Sequence, residues 1–508
     1  MISQICIVIA IVAYLSIMIY VGVSYSKTNT SIDAFYLGGR KLGPIVTAMS
    51  AEASDMSSWL LMGLPGVAYL SGMAEASWTA LGLAVGTYIN WLIVSKKIRR
   101  YTNEVNALTI PDFFSKRYGD DKNILTCVSA IIIIIFFIPY AASGFAACAK
   151  LFNTLFGLNY MVSLFISAAI IVLYCTLGGF LAVSTTDLIQ GITMSIALII
   201  VICFGVSQAG GVSNVIENAQ ALPGYLSMVN SYVPDTGSTT PYSTLTIAST
   251  MAWGLGYFGM PHILLRFMAI EDENKLTLSR RIASVWVVIS MAIAVFIGIV
   301  GYSLSQASVI PTLEGSNSET IIIQIASSLS KYNVLAALLA GIILAGILAA
   351  TMSTADSQLL AAASCISQNL LQDFGKKKID TKTSVKIARI TVIVISVIAI
   401  VLASNPDSSV FEIVSFAWAG FGAAFGPIVL CALFWKRSNK WGALCGMVTG
   451  GAMIFIWKYG IAKLGGVFAI YELLPAFILA TVVNVIVSLV TAAPSKEIVA
   501  TYDKVNAK

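Results

Sequence analysis

Asp55 is the leading residue of this chain with chemistry to offer, because it stands in the polar run Ser54-Asp55-Met56-Ser57-Ser58 inside an otherwise apolar stretch. An ionised carboxylate in such surroundings is costly unless it is paired or solvated, which makes it a functional candidate by default. A polar interruption of a helix also frees backbone carbonyl oxygens, and hard cations such as sodium prefer oxygen ligands. Asp55 can therefore serve a cation, or it can cap the half-helix that follows by accepting backbone N–H bonds. The two roles are compatible.

A second polar cluster is Ala349-Ala350-Thr351-Met352-Ser353-Thr354-Ala355-Asp356-Ser357. Ser353 and Ser357 are four apart and share a helix face, with Asp356 on its flank. A lone hydroxyl in a membrane helix ordinarily bonds back to the carbonyl four residues earlier. Three hydroxyls and a carboxylate within residues 353–357 point instead to a site. Asp187 follows Thr185-Thr186 at the start of another apolar run, where it either caps a helix or faces the same cluster. Trp253, Tyr257 and Pro261 recur every four residues, and Tyr140 follows Pro139. Aromatic stripes of this kind usually face lipid or pack a core, but beside a helix break they can enclose a small apolar ring.

These residues need a membrane to hold them. The chain of 508 residues is 58% hydrophobic and only 11% charged, less than half the usual charged share. A span takes about 20 apolar residues, and the runs predict about thirteen helices. They fall at roughly 4–24, 43–72, 76–96, 123–150, 160–184, 187–207, 243–267, 282–306, 334–371, 385–403, 409–434, 439–459 and 467–491. Most of the 30 Lys and Arg residues lie in every second gap: Lys27, Arg40 and Lys41, Lys96 to Lys122, Arg266 to Arg281, Lys376 to Arg389, Lys436 to Lys440, and Lys496, Lys504 and Lys508. Lys150, Lys331, Lys458 and Lys463 fall on the other side. Positive residues near spans stay in the cytoplasm, so the N-terminus is expected outside and the C-terminus inside the plasma membrane.

The net charge of +6 then describes loops facing anionic lipid head groups and gives no argument for nucleic-acid binding. The eight cysteines lie in apolar runs and read as small buried hydrophobes rather than disulfides. A single histidine excludes a His-rich metal site. The first apolar run, Ile5 to Val23, is long enough to span and has no basic segment before it, unlike a cleavable signal. Gln208 to Tyr242 carries no Lys or Arg and reads as an external loop, while the apolar piece from Ile321 to Ser330 is too short to cross and is expected to lie on the bundle from outside. Residues 1–508 thus form one transmembrane domain, with no Walker A sequence.

Two helices are interrupted: the second at Ser54 to Ser58 and Gly63-Leu64-Pro65-Gly66, the seventh at Gly254-Leu255-Gly256-Tyr257-Phe258-Gly259-Met260-Pro261. They are five spans apart, so helices 2–6 (about 43–207) and 7–11 (about 243–434) can be inverted copies of each other, flanked by helices 1, 12 and 13. Broken helices at matching positions of two inverted halves are the best sequence pointer to a transporter's binding site.

The chain resembles the sodium/solute symporter family, and its bacterial proline branch in particular, over nearly its whole length. The resemblance rests on Phe35-Tyr36-Leu37-Gly38-Gly39-Arg40, on the run from Ala53 through Gly66, on Tyr174-Cys175-Thr176-Leu177-Gly178-Gly179-Phe180, and on Met352-Ser353-Thr354 with Gln358-Leu359-Leu360. It implies an all-α polytopic fold with leucine-transporter-like 5+5 inverted repeats and sodium held between helices 2 and 9. The implied sodium ligands are the carbonyls of Ala53, Met56 and Ala350 and the hydroxyls of Ser353 and Thr354, with Asp55 in electrostatic support. Proline would lie against Ser57, Ser58, Trp59, Tyr140, Trp253, Tyr257 and Pro261, and Arg40 would act in coupling. Ser58 departs from the family pattern, which has glycine there. Some family members bind a second sodium, for which Asp187, Asp356 and Ser357 are the candidates here.

The reading that follows is a secondary active transporter drawing L-proline inward with sodium by alternating access, with no cofactor and no enzymatic step. A unit charge falling through 100 mV supplies about 2.3 kcal/mol, enough for substantial accumulation. The alternatives are another small neutral solute, a proton in place of sodium, or a membrane sensor on a transporter scaffold.

Overall fold

The computed structural model describes residues 2–26, 32–175, 179–377 and 379–507. Lys27, Lys508 and Thr176-Leu177-Gly178 of the Tyr174–Phe180 motif lie outside the described residues. The long helices are α1 (Ile2–Ser26), α2 (Pro44–Ser58, Trp59–Gly63 and Leu64–Ser71), α3 (Met73–Glu104), α4 (Ile124–Phe156), α5 (Tyr160–Cys175), α6 (Phe180–Gln208), α7 (Thr244–Met251, Ala252–Phe258 and Pro261–Ala269), α8 (Leu276–Gln306), α9 (Val334–Phe374), α10 (Thr381–Leu402), α11 (Val410–Phe434), α12 (Lys440–Tyr459) and α13 (Leu473–Val490). Among the described residues ten helices are long and apolar enough to cross a membrane. Of the other three, α5 is apolar but shorter, and α2 and α7 are the two broken helices.

The middle of the bundle belongs to α9 and α11, the most enclosed spans, whereas α1, α10, α12 and α13 keep most of their surface outward. Against α9 pack α1, α2, α4 and α6. This enclosure follows from composition: from Ala336 to Ser364 α9 is largely alanine, glycine and hydroxyl residues, nearly all buried. Small side chains let neighbouring backbones approach closely in a medium where apolar area alone drives no association. The same device brings α3 against the broken segment of α7. A Cβ on Gly86 would lie 2.4 Å from the Gly254 Cα, and one on Gly82 would lie 2.5 Å from the Met251 carbonyl.

Several boundaries depart from the expectations, each for a local reason. The helix expected to begin at Asp187 begins at Phe180, after Gly179 in extended conformation, so Asp187 lies well inside α6 and does not cap it. The expected second interruption of α2, at Gly63 to Gly66, is a wide π turn over Trp59–Gly63 that runs on into Leu64–Ser71. Pro65 stands directly after the widened turn, inside a helix that continues through it. Far from being irregular, the Gln208–Tyr242 stretch folds into a helix, Val212–Gln220, and an antiparallel hairpin pairing Asn230–Val233 with Ser238–Pro241. The short Ile321–Leu329 helix buries Ile321, Ile322, Ile323 and Ile325. All eight cysteines are free; Cys203 departs from the rest in being exposed on α6.

Candidate functional site

The break in α2 is at Ser57, whose backbone takes φ 50° and ψ −171°. Its hydroxyl accepts the Trp59 N–H at 3.0 Å, and the Met56 carbonyl accepts the same N–H. The cap that Asp55 was expected to offer is thus made by Ser57. Upstream of the break the Ser353 hydroxyl donates to the Ala53 carbonyl at 2.8 Å and lies 3.1 Å from the Ala350 carbonyl. The Thr354 hydroxyl is 3.2 Å from that same carbonyl. The carbonyls of Ala53 and Ala350 and two hydroxyls therefore meet between α2 and α9, all buried. With the hydroxyl protons rotated away, this set presents four oxygens to a small hard cation in a dry setting. The Met56 carbonyl, a turn further on, is engaged by Trp59.

Asp55 looks the other way, toward α7. Its carboxylate accepts the Tyr257 hydroxyl at 2.5 Å, and its carbonyl accepts the Tyr140 hydroxyl at 3.1 Å. The Ala252–Phe258 segment is wound as a 3-10 helix rather than an α-helix, and side chains of α3 and α11 reach two of its carbonyls. Trp418 Nε1 donates to the Trp253 carbonyl at 2.7 Å and Asn90 Nδ2 to the Tyr257 carbonyl at 3.1 Å. Gly256 makes room for the Trp418 indole, since a Cβ there would be 1.9 Å from its Nε1. Over the break the rings of Trp59, Trp253 and Phe411 lie 5.4 to 5.8 Å apart, with Tyr471 stacked on Trp253 at 5.3 Å. Ser58 Oγ and Trp59 Nε1 are buried here without a partner, two donors facing no acceptor of the chain.

Of the expected site residues, Ala53, Asp55, Ser57, Tyr140, Trp253, Tyr257, Ala350, Ser353 and Thr354 are joined by these contacts. Pro261 is not: Met260 takes an extended conformation and Pro261 starts the second half of α7, so the four-residue stripe stops at Tyr257. Arg40 sits away from the break, after Gly38 and Gly39, and all three have positive φ. Its guanidinium donates to the carbonyls of Met268 (2.8 Å), Ala107 (2.8 Å) and Thr102 (3.1 Å), a cation on the last turn of α7 where helix carbonyls are unpaired.

Asp187, Asp356 and Ser357 do come together, around a residue that sequence reasoning passed over. Arg266 of α7 donates to Asp187 Oδ2 at 3.1 Å, to the Ser357 hydroxyl, and to Ser50 Oγ at 3.0 Å. Ser50 in turn donates to Asp187 Oδ2 at 2.6 Å. In the sequence Arg266 reads as a cytoplasmic loop charge; its place nine residues after Tyr257 in the same helix is the available signal. Glu52 was also missed. It is buried three residues before Asp55 and accepts Trp91 Nε1 at 2.8 Å and Thr87 Oγ1 at 3.3 Å. A second acid in the apolar run of α2 was legible in the sequence.

The model of the sodium:solute symporter family matches residues 35–450. The osmoregulated proline transporter OpuE of Bacillus subtilis is 42% identical over 492 residues, 96% of each chain. The sodium/proline symporter of Haemophilus influenzae is 42% identical over 499 residues, covering 97% of this chain and 96% of its own length. Among solved structures, a Na+-coupled sialic acid symporter in a substrate-bound outward-open state superposes with a TM-score of 0.77 over 97% of this chain and 99% of its own, at 18% identity. That similarity carries the fold.

Proposed function

The chain belongs to the sodium:solute symporter family, and from that premise we propose that it is a sodium-coupled symporter that takes up L-proline. It is a multi-pass membrane protein with the helical fold of sodium-coupled carriers. The observation that carries the reading is the meeting of α2 and α9, where Ser353 reaches the Ala53 carbonyl at the foot of an aromatic enclosure. Sodium takes the carbonyls of Ala53, Met56 and Ala350 and the hydroxyls of Ser353 and Thr354. Met56 joins when the turn after Ser57 opens. Proline lies above, with its ring against Trp59, Trp253 and Tyr257 and its carboxylate toward the unwound backbone of α2, where Ser58 Oγ and Trp59 Nε1 lack acceptors. Asp55 supports the cation and orients Tyr257. Arg40 ties the inner end of α7 to α3, through which it affects coupling.

Segments 43–207 and 243–434 act as the inverted repeats, α2 and α7 being their matching broken helices. The basic loops face the cytoplasm, which puts the N-terminus outside and the C-terminus inside the plasma membrane. Purified protein in liposomes tests the reading: an inward sodium gradient should accumulate labelled proline above its equilibrium level, and a proton gradient alone should not. Accumulation of a different neutral solute would remove proline and leave the symporter; none at all would favour a sensor.

A further inference from the structure

The flank of α8 carries two apolar grooves on the outer surface of the bundle. One, of about 490 Å³, lies between α8 and α6. Leu198 and Ile199 form one wall, Ile282, Val285 and Ile289 the other, and buried Met49 of α2 the floor. It opens on the bilayer, since Ile199, Val285 and Ile289 are each more than half exposed. Its hydroxyls are already spent: Ser195 donates to the Gly191 carbonyl at 2.8 Å and Ser290 to the Trp286 carbonyl at 2.6 Å. The Trp286 indole, also in the lining, is pinned by its Nε1 on Ser195 at 2.8 Å. The charged member of the lining is Arg281, exposed at the groove's end near the start of α8. Among the described residues it forms no ion pair. The other groove, between α8 and α3, has no charged residue in its lining.

We propose that the groove between α6 and α8 is a binding site for an anionic phospholipid, with its phosphate on Arg281 and one acyl chain lying along the groove. An open apolar cleft on a spanning helix is filled by hydrocarbon, and a positive charge at one end selects a lipid with a negative head group. The length fits. From Arg281 to Ile293, the far end of the lining, α8 rises about 18 Å, close to the roughly 15 Å of hydrocarbon in one leaflet. The planar guanidinium suits a phosphodiester. Basic neighbours are committed elsewhere: Lys275 to Glu271, Arg100 to Glu273, and Arg280 over the Tyr88 ring of α3. The bound chain also bears on α2. Met49 stands one turn before Ala53, and its methyl lies where a Cβ on Gly191 would be 2.7 Å away, so the lipid packs behind the half-helix that carries the Ala53 carbonyl. The site holds whether or not proline is the solute; only the leaflet depends on the sidedness given above.

The test uses purified full-length protein in phosphatidylcholine nanodiscs containing a phosphatidylglycerol with a photoreactive diazirine on one acyl chain, the crosslinked peptides being mapped by mass spectrometry. Labelling should concentrate on the α6 and α8 peptides around Ile199 and Val285 and be displaced by unlabelled phosphatidylglycerol. A phosphatidylcholine carrying the same diazirine should label them no more than the rest of the lipid-facing surface. Arg281→Gln should lower labelling of the groove about fivefold, the effect of one basic side chain near charged head groups, and Arg281→Lys should retain most of it. Ile199→Trp, which fills the groove, should abolish it, whereas Ala292→Trp, in the lining of the other groove, should leave it unchanged. Equal labelling by the two lipids, or groove labelling that Arg281→Gln does not lower, would reduce the contact to ordinary bilayer packing and overturn the proposal. Labelling elsewhere on the same chain separates loss of the site from loss of the fold.

Discussion

The hydroxyl of Ser353 donates to the carbonyl of Ala53 at 2.8 Å across 300 residues of sequence. It joins the broken helix α2 to the unbroken α9 one turn before the break at Ser57. A cation held there touches both helices, so its presence or absence bears on how they sit against each other.

Loss of both hydroxyls at this junction should fall chiefly on sodium. In Ser353→Ala/Thr354→Ala a cation keeps its carbonyl ligands and loses two oxygens, at a cost of roughly 1–3 kcal/mol for each buried polar interaction. The sodium concentration giving half-maximal uptake should rise by about tenfold or more. Ser16→Ala, on the exposed face of α1 with its hydroxyl on the Val12 carbonyl, should leave it unchanged. Equal sodium curves for the two variants would place the ion elsewhere.

The aromatic enclosure should answer to proline instead. Trp253→Ala removes a ring that contacts Trp59, Phe411 and Tyr471, and proline binding at saturating sodium should weaken by roughly 1–3 kcal/mol. Tyr257→Phe keeps the ring but strips the hydroxyl from Asp55, so its effect should appear in sodium affinity as well. Equilibrium binding of labelled proline by purified protein separates the two; an unaltered affinity in Trp253→Ala would take the ring out of the binding site.

Stability should depend on a buried charge pair that borders the aromatic enclosure through Phe411. Lys150 and Glu319 meet at 2.8 Å with side chains 6% and 4% exposed, and Glu319 also caps α11 by accepting the Val410 and Phe411 N–H groups at 3.0 Å. Lys150→Met strands the carboxylate and should cost about 3–5 kcal/mol. Adding Glu319→Gln removes the charge and keeps an acceptor for the cap, so thermal unfolding of the double variant in detergent should fall between wild type and Lys150→Met. A double variant less stable than the single one would assign the role to the pair itself.

Sidedness follows from the basic loops. In a background without the native cysteines, Asp235→Cys in the exposed hairpin should react with an impermeant thiol reagent on intact cells. Lys377→Cys, in the exposed stretch after α9, should react only after permeabilisation. The reverse pattern would invert the topology and with it the direction of uptake.

What the sequence revealed and what it hid separate along physical lines. Asp55, Ser353 and Thr354 were legible because polar groups inside apolar runs are costly and hence conspicuous, and Trp253 with Tyr257 because a Gly-rich break lies beside them. Arg266 was hidden by its position near a helix end, where a basic residue reads as a loop charge; only the packing of α7 against α6 and α9 shows it enclosed. Trp418 and Tyr471 carry no local signal, since their roles depend on which helices meet. The start of α6 is misplaced because Asp187, following Thr185 and Thr186, reads as a cap, whereas those two threonines already lie inside the helix with their hydroxyls on the carbonyls of Leu181 and Ala182. Pro261 fitted a spacing that the extended Met260 interrupts.

The central claim is that sodium at the Ala53–Ser353 junction and proline against the α7 rings are bound by one coupled structure. Linkage makes that measurable without transport, because each ligand must change the other's affinity by the same factor. Proline affinity of purified protein, titrated at a series of sodium concentrations, should rise with sodium in wild type and lose most of that dependence over the same range in Ser353→Ala/Thr354→Ala. The same sodium-dependent tightening in the double variant would contradict the account.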